Sequence, residues 1–200
     1  MRSGILRQAS VSIAALVIAT VVLGFGYPLA VTGISQLFFR DKANGSLVYS
    51  GGKLVGSALL GQSFTDAKGN PLPRYFQPRP SNAGAGYDGS SSGASNLGPS
   101  NPTLINEVSQ RVSAYRQFNH LAADAAVPVD AVTASGSGLD PDISIQNALD
   151  QAPRVAQARH ESAASVLALL HRHTTPAQWG FLSEPDVNVL QLNLALDGRR

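Results

Sequence analysis

Residues 11–31 read VSIAALVIATVVLGFGYPLAV and lie within 32 consecutive uncharged residues between Arg7 and Arg40. About 20 such residues cross a hydrocarbon core ~30 Å thick as a helix, so the stretch predicts one transmembrane helix over residues 11–34. Two arginines before an apolar run also describe a cleaved signal peptide, and Gly24-Phe25-Gly26 offers small residues where cleavage could fall. The run is longer than the roughly 7–15 apolar residues of a signal sequence, which favours a retained anchor. Pro28 is expected to kink or end the helix, and Tyr27 suits the headgroup level.

Outward from the span, Arg2, Arg7 and the terminal amine face Arg40 and Lys42, with Asp41 beside the latter pair. The balance tips slightly toward a cytoplasmic N-terminus. Residues 1–10 then form a short cytoplasmic tail and residues 41–200 an extracytoplasmic domain. Ser12, Ala15 and Ala19 recur at i, i+3 and i+7, where small side chains either admit a second transmembrane helix or face lipid.

The rest of the composition mostly excludes. Charged residues make up 14% of the chain against an ordinary ~25%, and the net charge is +2. From Asp41 onward there are 12 basic and 13 acidic residues, so no clustered basic stripe exists and nucleic acid is not an expected partner. The absence of cysteine removes disulfide scaffolds, thiolate metal sites and thiol nucleophiles together.

Residues 47–64 (LVYSGGKLVGSALLGQSF) have short apolar runs broken by Gly51-Gly52, Gly56 and Gly61, which predicts a hairpin. Between residues 77 and 102, 18 of 26 are Gly, Pro, Ser or Asn, a composition from which no core can be built. Such a stretch is either disordered or a functional loop laid against something.

Asn101-Pro102 predicts a helix start, with Leu104, Ile105, Val108, Val112 and Tyr115 along one face to about Phe118. Residues 129–135 resemble a short strand. Asp140-Pro141-Asp142 is read as the cap of a helix in which Pro153 forces either a kink or a division into two. A further helix is expected over residues 162–173. Leu190, Leu192, Leu194 and Leu196 alternate with Gln191, Asn193 and Ala195, which predicts a half-buried strand. Together these elements predict an α+β fold: one N-terminal membrane helix and a single outer domain with a mixed or antiparallel sheet and several helices.

No catalytic set emerges. Ser135 and Ser137 lie in Ala134-Ser135-Gly136-Ser137-Gly138, which lacks the glycine two residues before the serine that a nucleophile elbow needs. A membrane-anchored hydrolase pairing Ser135 or Ser137 with His160 is the alternative enzyme reading, and a turn is the plainer one. Asp140 and Asp142 are explained by helix capping. His171 and His173, two apart on a helix, point to different faces and do not converge on a metal. Lys53 after Gly51-Gly52 lacks the remainder of a phosphate loop. No catalytic, cofactor or metal residue is assigned.

Five ordered blocks carry a family resemblance: residues 75–81 (YFQPRPS), 95–102 (SNLGPSNP), 132–144 (VTASGSGLDPDIS), 154–159 (RVAQAR) and 187–197 (VNVLQLNLALD). With the N-terminal span, the chain resembles the C subunit of the Kdp potassium-transporting ATPase. One departure is Ser183, where that family usually has glycine. The resemblance implies an accessory subunit of an ATP-driven potassium importer in the bacterial inner membrane. Its partners would be a potassium-translocating subunit and a P-type ATPase subunit, which handle potassium and ATP while this chain holds no cofactor of its own. It also implies a catalytic chaperone that raises the ATP affinity of the hydrolysing subunit.

A cytoplasmic N-terminus would put the large domain and the nucleotide on opposite sides of the bilayer. Residues 1–10 offer only Arg2 and Arg7 to a phosphate, so assembly and stabilisation are the favoured role, with any effect on ATP transmitted as a coupling free energy. Under the resemblance, the Ser12, Ala15, Ala19 face docks on a neighbouring helix. The 77–102 loop lies on a partner, Arg79 and Asn96 supplying polar contacts; turn formation and solvation account for these two equally well.

Overall fold

The computed structural model describes residues 2–198. Met1, Arg199 and Arg200, the ends of the expected tail and outer domain, lie outside the described residues. The chain divides into two compact units, Met1–Leu47 and Val48–Arg200.

The first unit is one continuous apolar helix and a short turn. α1 (Arg2–Ala19) runs into a π-helical stretch, Thr20–Gly26, and then into α2 (Tyr27–Phe38). The span Gly4–Phe38 covers 35 residues with a mean hydropathy of 2.2 in its most apolar window, and no part of that window is buried inside the protein. At 1.5 Å per residue it is about 50 Å long, more than one hydrocarbon thickness.

Of the two outcomes expected of Pro28, a kink or an end, the helix does not end there. Proline lacks an N–H and crowds the carbonyl four residues back. Here the preceding turn has already widened, with the Tyr27 N–H bonded to the Val22 carbonyl five residues earlier. Gly24 and Gly26 lie within the widened turn. α3 (Arg40–Ala43) closes the unit, and Gln36 hydrogen-bonds Asn44 across it at 3.0 Å.

The second unit begins with the predicted hairpin. β1 (Leu47–Ser50) and β2 (Lys53–Ser57) pair around Gly51 and Gly52, both at positive φ. No helix or strand then forms until α4 (Pro102–Phe118), which starts where Asn101-Pro102 predicted, with the Asn101 side chain accepting from the Thr103 N–H at 2.9 Å.

Residues 129–135 are not a strand. Pro128 opens a single turn, α5 (Val129–Val132), whose Asp130 side chain accepts from the Ser144 backbone at 2.8 Å. Asp140 does not cap the next helix either. β3 (Asp142–Ser144) intervenes, and Ser144 caps α6 (Ile145–Arg159). Asp140 instead accepts from the Asp142 N–H and from Arg79. α6 runs through Pro153 as one helix.

The helix expected over residues 162–173 is α7 (Ala163–Arg172), and Ser162 caps it. β4 (Thr174–Thr175) and β5 (Asp186–Asn188) follow, and the sheet order β3-β5-β4 is antiparallel throughout, with Ile143 opposite Val187. The predicted leucine strand is a helix, α8 (Val189–Asp197), capped by Asn188. Leucine and alanine favour helix over strand. Val189, Leu190, Leu192, Asn193 and Leu196 are buried, an i, i+1, i+3, i+4, i+7 face that takes in three of the four alternating leucines. The core joins α6, α7, α8 and the three-stranded sheet through Ile143, Ala152, Val155, Leu170, Val187 and Leu192, with Phe76 from the long loop inserted among them.

Candidate functional site

Residues 73–81 (PRYFQPRPS) have no regular structure, yet side chains of α6 and α8 hold them like a strand. The Asn193 amide accepts the Phe76 N–H and donates to the Phe76 carbonyl, both at 2.9 Å. Gln151 repeats the arrangement one residue on, accepting from the Gln77 N–H at 2.7 Å and donating to its carbonyl at 3.1 Å. A side-chain amide carries the same donor and acceptor as a peptide group. Two amides fixed on helices thus replace a neighbouring strand and let Phe76 sit fully buried without orphaned backbone.

Arg154 completes the clamp. Only 3% exposed, it donates to the Pro73 and Tyr75 carbonyls, to Asn119 Oδ1 and to Gln151 Oε1, with its guanidinium 4.3 Å from the Phe118 ring centre. Burial lowers its pKa to about 10, which leaves it cationic at neutral pH. Among the described residues no carboxylate is bonded to it; carbonyl dipoles and the ring face compensate the charge. Beside it, Tyr115 donates to Asn147 Oδ1 at 2.9 Å, and burial pushes the Tyr115 hydroxyl up so that it stays a donor. At the far end Arg159 binds Asp197 at 2.5 Å and the Arg74 carbonyl at 3.1 Å, while the Tyr75 hydroxyl donates to the same carboxylate at 2.8 Å.

The loop continues onto residues 133–140. Arg79 forms a half-buried ion pair with Asp140 at 2.8 Å, Ser81 donates to the Gly138 carbonyl at 2.6 Å, and the Gly93 N–H reaches the Ser137 carbonyl at 2.8 Å. Gly138 has φ +68°, and a Cβ there would stand 2.6 Å from the Gly93 carbonyl and 2.7 Å from the Ala83 nitrogen. Only glycine lets these segments cross so closely. The stretch that looked unable to build a core is therefore ordered against its own domain.

Two hollows adjoin this platform. A cleft of about 870 Å³ opens between α4 and the loop, with Pro71, Pro73 and Pro78 facing Tyr115 and Phe118, and Gln151 and Arg154 also lining it. A smaller one, about 230 Å³, is lined by Asp130, Asp140, Asp142, Glu184 and Asp186, with Arg79 as the cation. Burial, and then the charge of Asp186, push Asp142 up to about 6, against the pull of a hydrogen bond from Asn188. Among the described residues, no group of three or more His, Cys, Asp or Glu is arranged to hold a metal ion.

The residues singled out from sequence fall in separate places. Ser12, Ala15 and Ala19 are exposed on α1. Arg79 is committed to Asp140, whereas Asn96 is exposed at φ +54° and donates only to the Ala94 carbonyl among the described bonds. Ser135 and Ser137 accept from the Gly138 and Leu139 N–H groups at 2.9 and 3.1 Å, and among the described residues neither hydroxyl bonds a histidine. His160 ends α6 in the left-handed conformation. These hydroxyls shape a turn.

A family comparison bears on the same platform. The description KdpC, K+-transporting ATPase, c chain, matches residues 9–198. The chain belongs to the KdpC family. It is similar to the potassium-transporting ATPase KdpC subunit of Mycobacterium tuberculosis (strain ATCC 25618 / H37Rv), with 56% identity over 191 residues, covering 96% of this chain and 98% of the relative. The KdpC subunit of Rhodospirillum rubrum is 50% identical over 194 residues, covering 97% and 95%. That of Koribacter versatilis is 49% identical over 182 residues, covering 91% and 90%.

Four of the five KdpC-like blocks converge on the clamp and its extension: residues 75–81, 132–144, 154–159 and 187–197 supply the bonds described above. The fifth, 95–102, ends in the cap of α4. Sequence reasoning missed Asn147, Gln151, Arg154 and Asn193. The first three recur at i, i+4 and i+7 beside the apolar Ala148, Ala152 and Val155, and Asn193 interrupts a run of leucines. A polar residue repeated on an apolar face was the available signal.

Proposed function

We propose that this chain is the non-catalytic accessory subunit of an ATP-driven potassium importer, and that it assembles and stabilises the potassium-translocating and P-type ATPase subunits. In this reading the span sits in the bacterial inner membrane with residues 1–10 cytoplasmic and the second unit extracytoplasmic. ATP and potassium are handled by the partner subunits. Any rise in ATP affinity of the hydrolysing subunit, the catalytic-chaperone role, is then a coupling free energy passed through subunit contacts and not a direct nucleotide contact.

The observation that carries the reading is the loop of residues 73–93. Its inward polar groups are spent on its own domain through Asn193, Gln151, Arg154 and Ser137, which leaves a fixed, largely uncharged surface with Asn82, Gly84, Ala85, Gly86 and Ser90 exposed. A pre-ordered loop binds without the entropy cost of ordering at the moment of contact, which suits a subunit built to hold others.

The test is a detergent pull-down of tagged protein from potassium-starved cells, followed by mass spectrometry and ATPase assay. Recovery of both large subunits in stoichiometric amounts is expected. In a strain lacking this chain, the two should separate during purification. Recovery of this chain alone would overturn the proposal.

A further inference from the structure

β4 and β5 are joined by residues 176–185, and the end of this hairpin carries Trp179, Phe181 and Leu182 at 85%, 75% and 56% exposed. Single exposed apolar side chains are ordinary, whereas three within four residues at one turn mark an interaction site. Residues 174–183 (TTPAQWGFLS) contain no Asp, Glu, Lys, Arg or His. The turn also satisfies much of its own backbone: the Gly180 N–H donates to Ala177, those of Phe181 and Leu182 donate to Gln178, and the Gln178 N–H donates to Ser183 Oγ, at 2.9–3.2 Å. Trp179 has φ +52°, a region that L side chains rarely adopt, and its indole is left in the open.

We propose that this tip inserts into the interfacial layer of a lipid bilayer, giving the second unit a reversible membrane contact in addition to the helical anchor. The proposal rests on Gly4–Phe38 being retained in a bilayer. A membrane-spanning helix of 35 residues in the same chain keeps the bilayer surface at high effective concentration for every other part of the molecule. Tryptophan concentrates at the membrane–water interface, where an apolar ring with one N–H donor is suited. An uncharged turn with paired amides loses little on entering that layer, because unsatisfied backbone groups dominate the cost there. A protruding wedge needs no preformed pocket in lipid, as it would in a protein. Flanking charges are of both signs, Arg172 on one stem and Glu184 and Asp186 on the other. The contact is therefore apolar in origin and independent of anionic lipid and of salt.

Trp179 is the only tryptophan in the chain, so intrinsic fluorescence reports on this tip alone. The full chain is reconstituted without partners into phosphatidylcholine vesicles, with and without phosphatidylglycerol. The expected result is blue-shifted emission, strong quenching by lipids spin-labelled near the top of the acyl chain, and acrylamide quenching several-fold weaker than in a Phe181→Asp/Leu182→Asp variant. The signal should not change with lipid charge or salt. Water-like emission without lipid quenching would overturn the proposal. So would shielding that needs the partner subunits, which would assign the tip to a protein, or shielding that rises with chain density, which would assign it to a second copy. Resistance to alkaline carbonate extraction reads the anchor separately, so loss of the span and loss of the tip contact are distinguishable.

Discussion

The two units hide opposite things. In Met1–Leu47 the peptide groups of the helices are paired along the chain and the described side chains are left outside, so its apolar surface needs a solvent the protein does not supply. In Val48–Arg200 the core is ordinary, but polar side chains are buried with it: Asn147, Gln151, Arg154, Arg159 and Asn193 are all under one-tenth exposed. The first unit is stable as a helix because its backbone is locally satisfied. The second depends on side chains that substitute for missing backbone partners, and such groups are costly when one member is lost.

That difference is most directly broken at Arg154. Arg154→Ala would leave the Pro73 carbonyl and Asn119 Oδ1 without their described donor and take one of two donors from the Tyr75 carbonyl and from Gln151 Oε1, and a loss of about 3–5 kcal/mol is expected. Chemical unfolding of the full chain in detergent, followed by near-ultraviolet circular dichroism, measures it. A loss below about 1 kcal/mol would mean that the loop is not held by the clamp.

The reciprocal change in the first unit is Val22→Arg. A charge near the centre of a span costs about 2.5–3.5 kcal/mol of insertion. Membrane extraction should fall accordingly while limited proteolysis of residues 48–198 stays unchanged; altered proteolysis would show that the units are not energetically separate. Gly138→Ala sharpens the contrast within the second unit. Positive φ and a close Gly93 carbonyl together predict a loss of about 2–3 kcal/mol, with early proteolysis in residues 82–93.

The smallest expected effect is pH-dependent. Asp142, raised to about 6 in the folded chain from the model-compound value of 3.8, binds protons more tightly folded than unfolded. Its contribution therefore stabilises the fold as pH drops through 6 toward 3.8 and works against the fold above 6. Asp142→Asn should raise thermal stability at neutral pH, and the gain should shrink as the pH falls below 6. An equal gain at every pH would remove the carboxylate as its cause.

Where the expectations held, a local signal was sufficient. Asn101-Pro102 names its helix because a cap bonds an N–H two or three residues away. Gly51-Gly52 names its hairpin because positive φ is a property of those residues. The failures share another feature. Leu190, Leu192 and Leu196 fit either period until α6 and α7 select the helical face. Asp140 looked like a cap because its actual partner, Arg79, is 61 residues away. The clamp was invisible for the same reason: Asn193 and Phe76 are 117 positions apart.

The sequence alone determined that a single apolar helix can span a bilayer, that the fold is α+β, and that the chain resembles one subunit family. Hydropathy, caps and turn glycines act over a few residues and leave their mark in order along the chain. Only tertiary structure decided that residues 73–93 are ordered, that the leucine repeat is helical, and that Ser135 and Ser137 serve a turn. Each of those outcomes depends on a donor meeting an acceptor, or a side chain meeting the core, from a distant part of the chain, and separation in sequence carries no trace of such meetings.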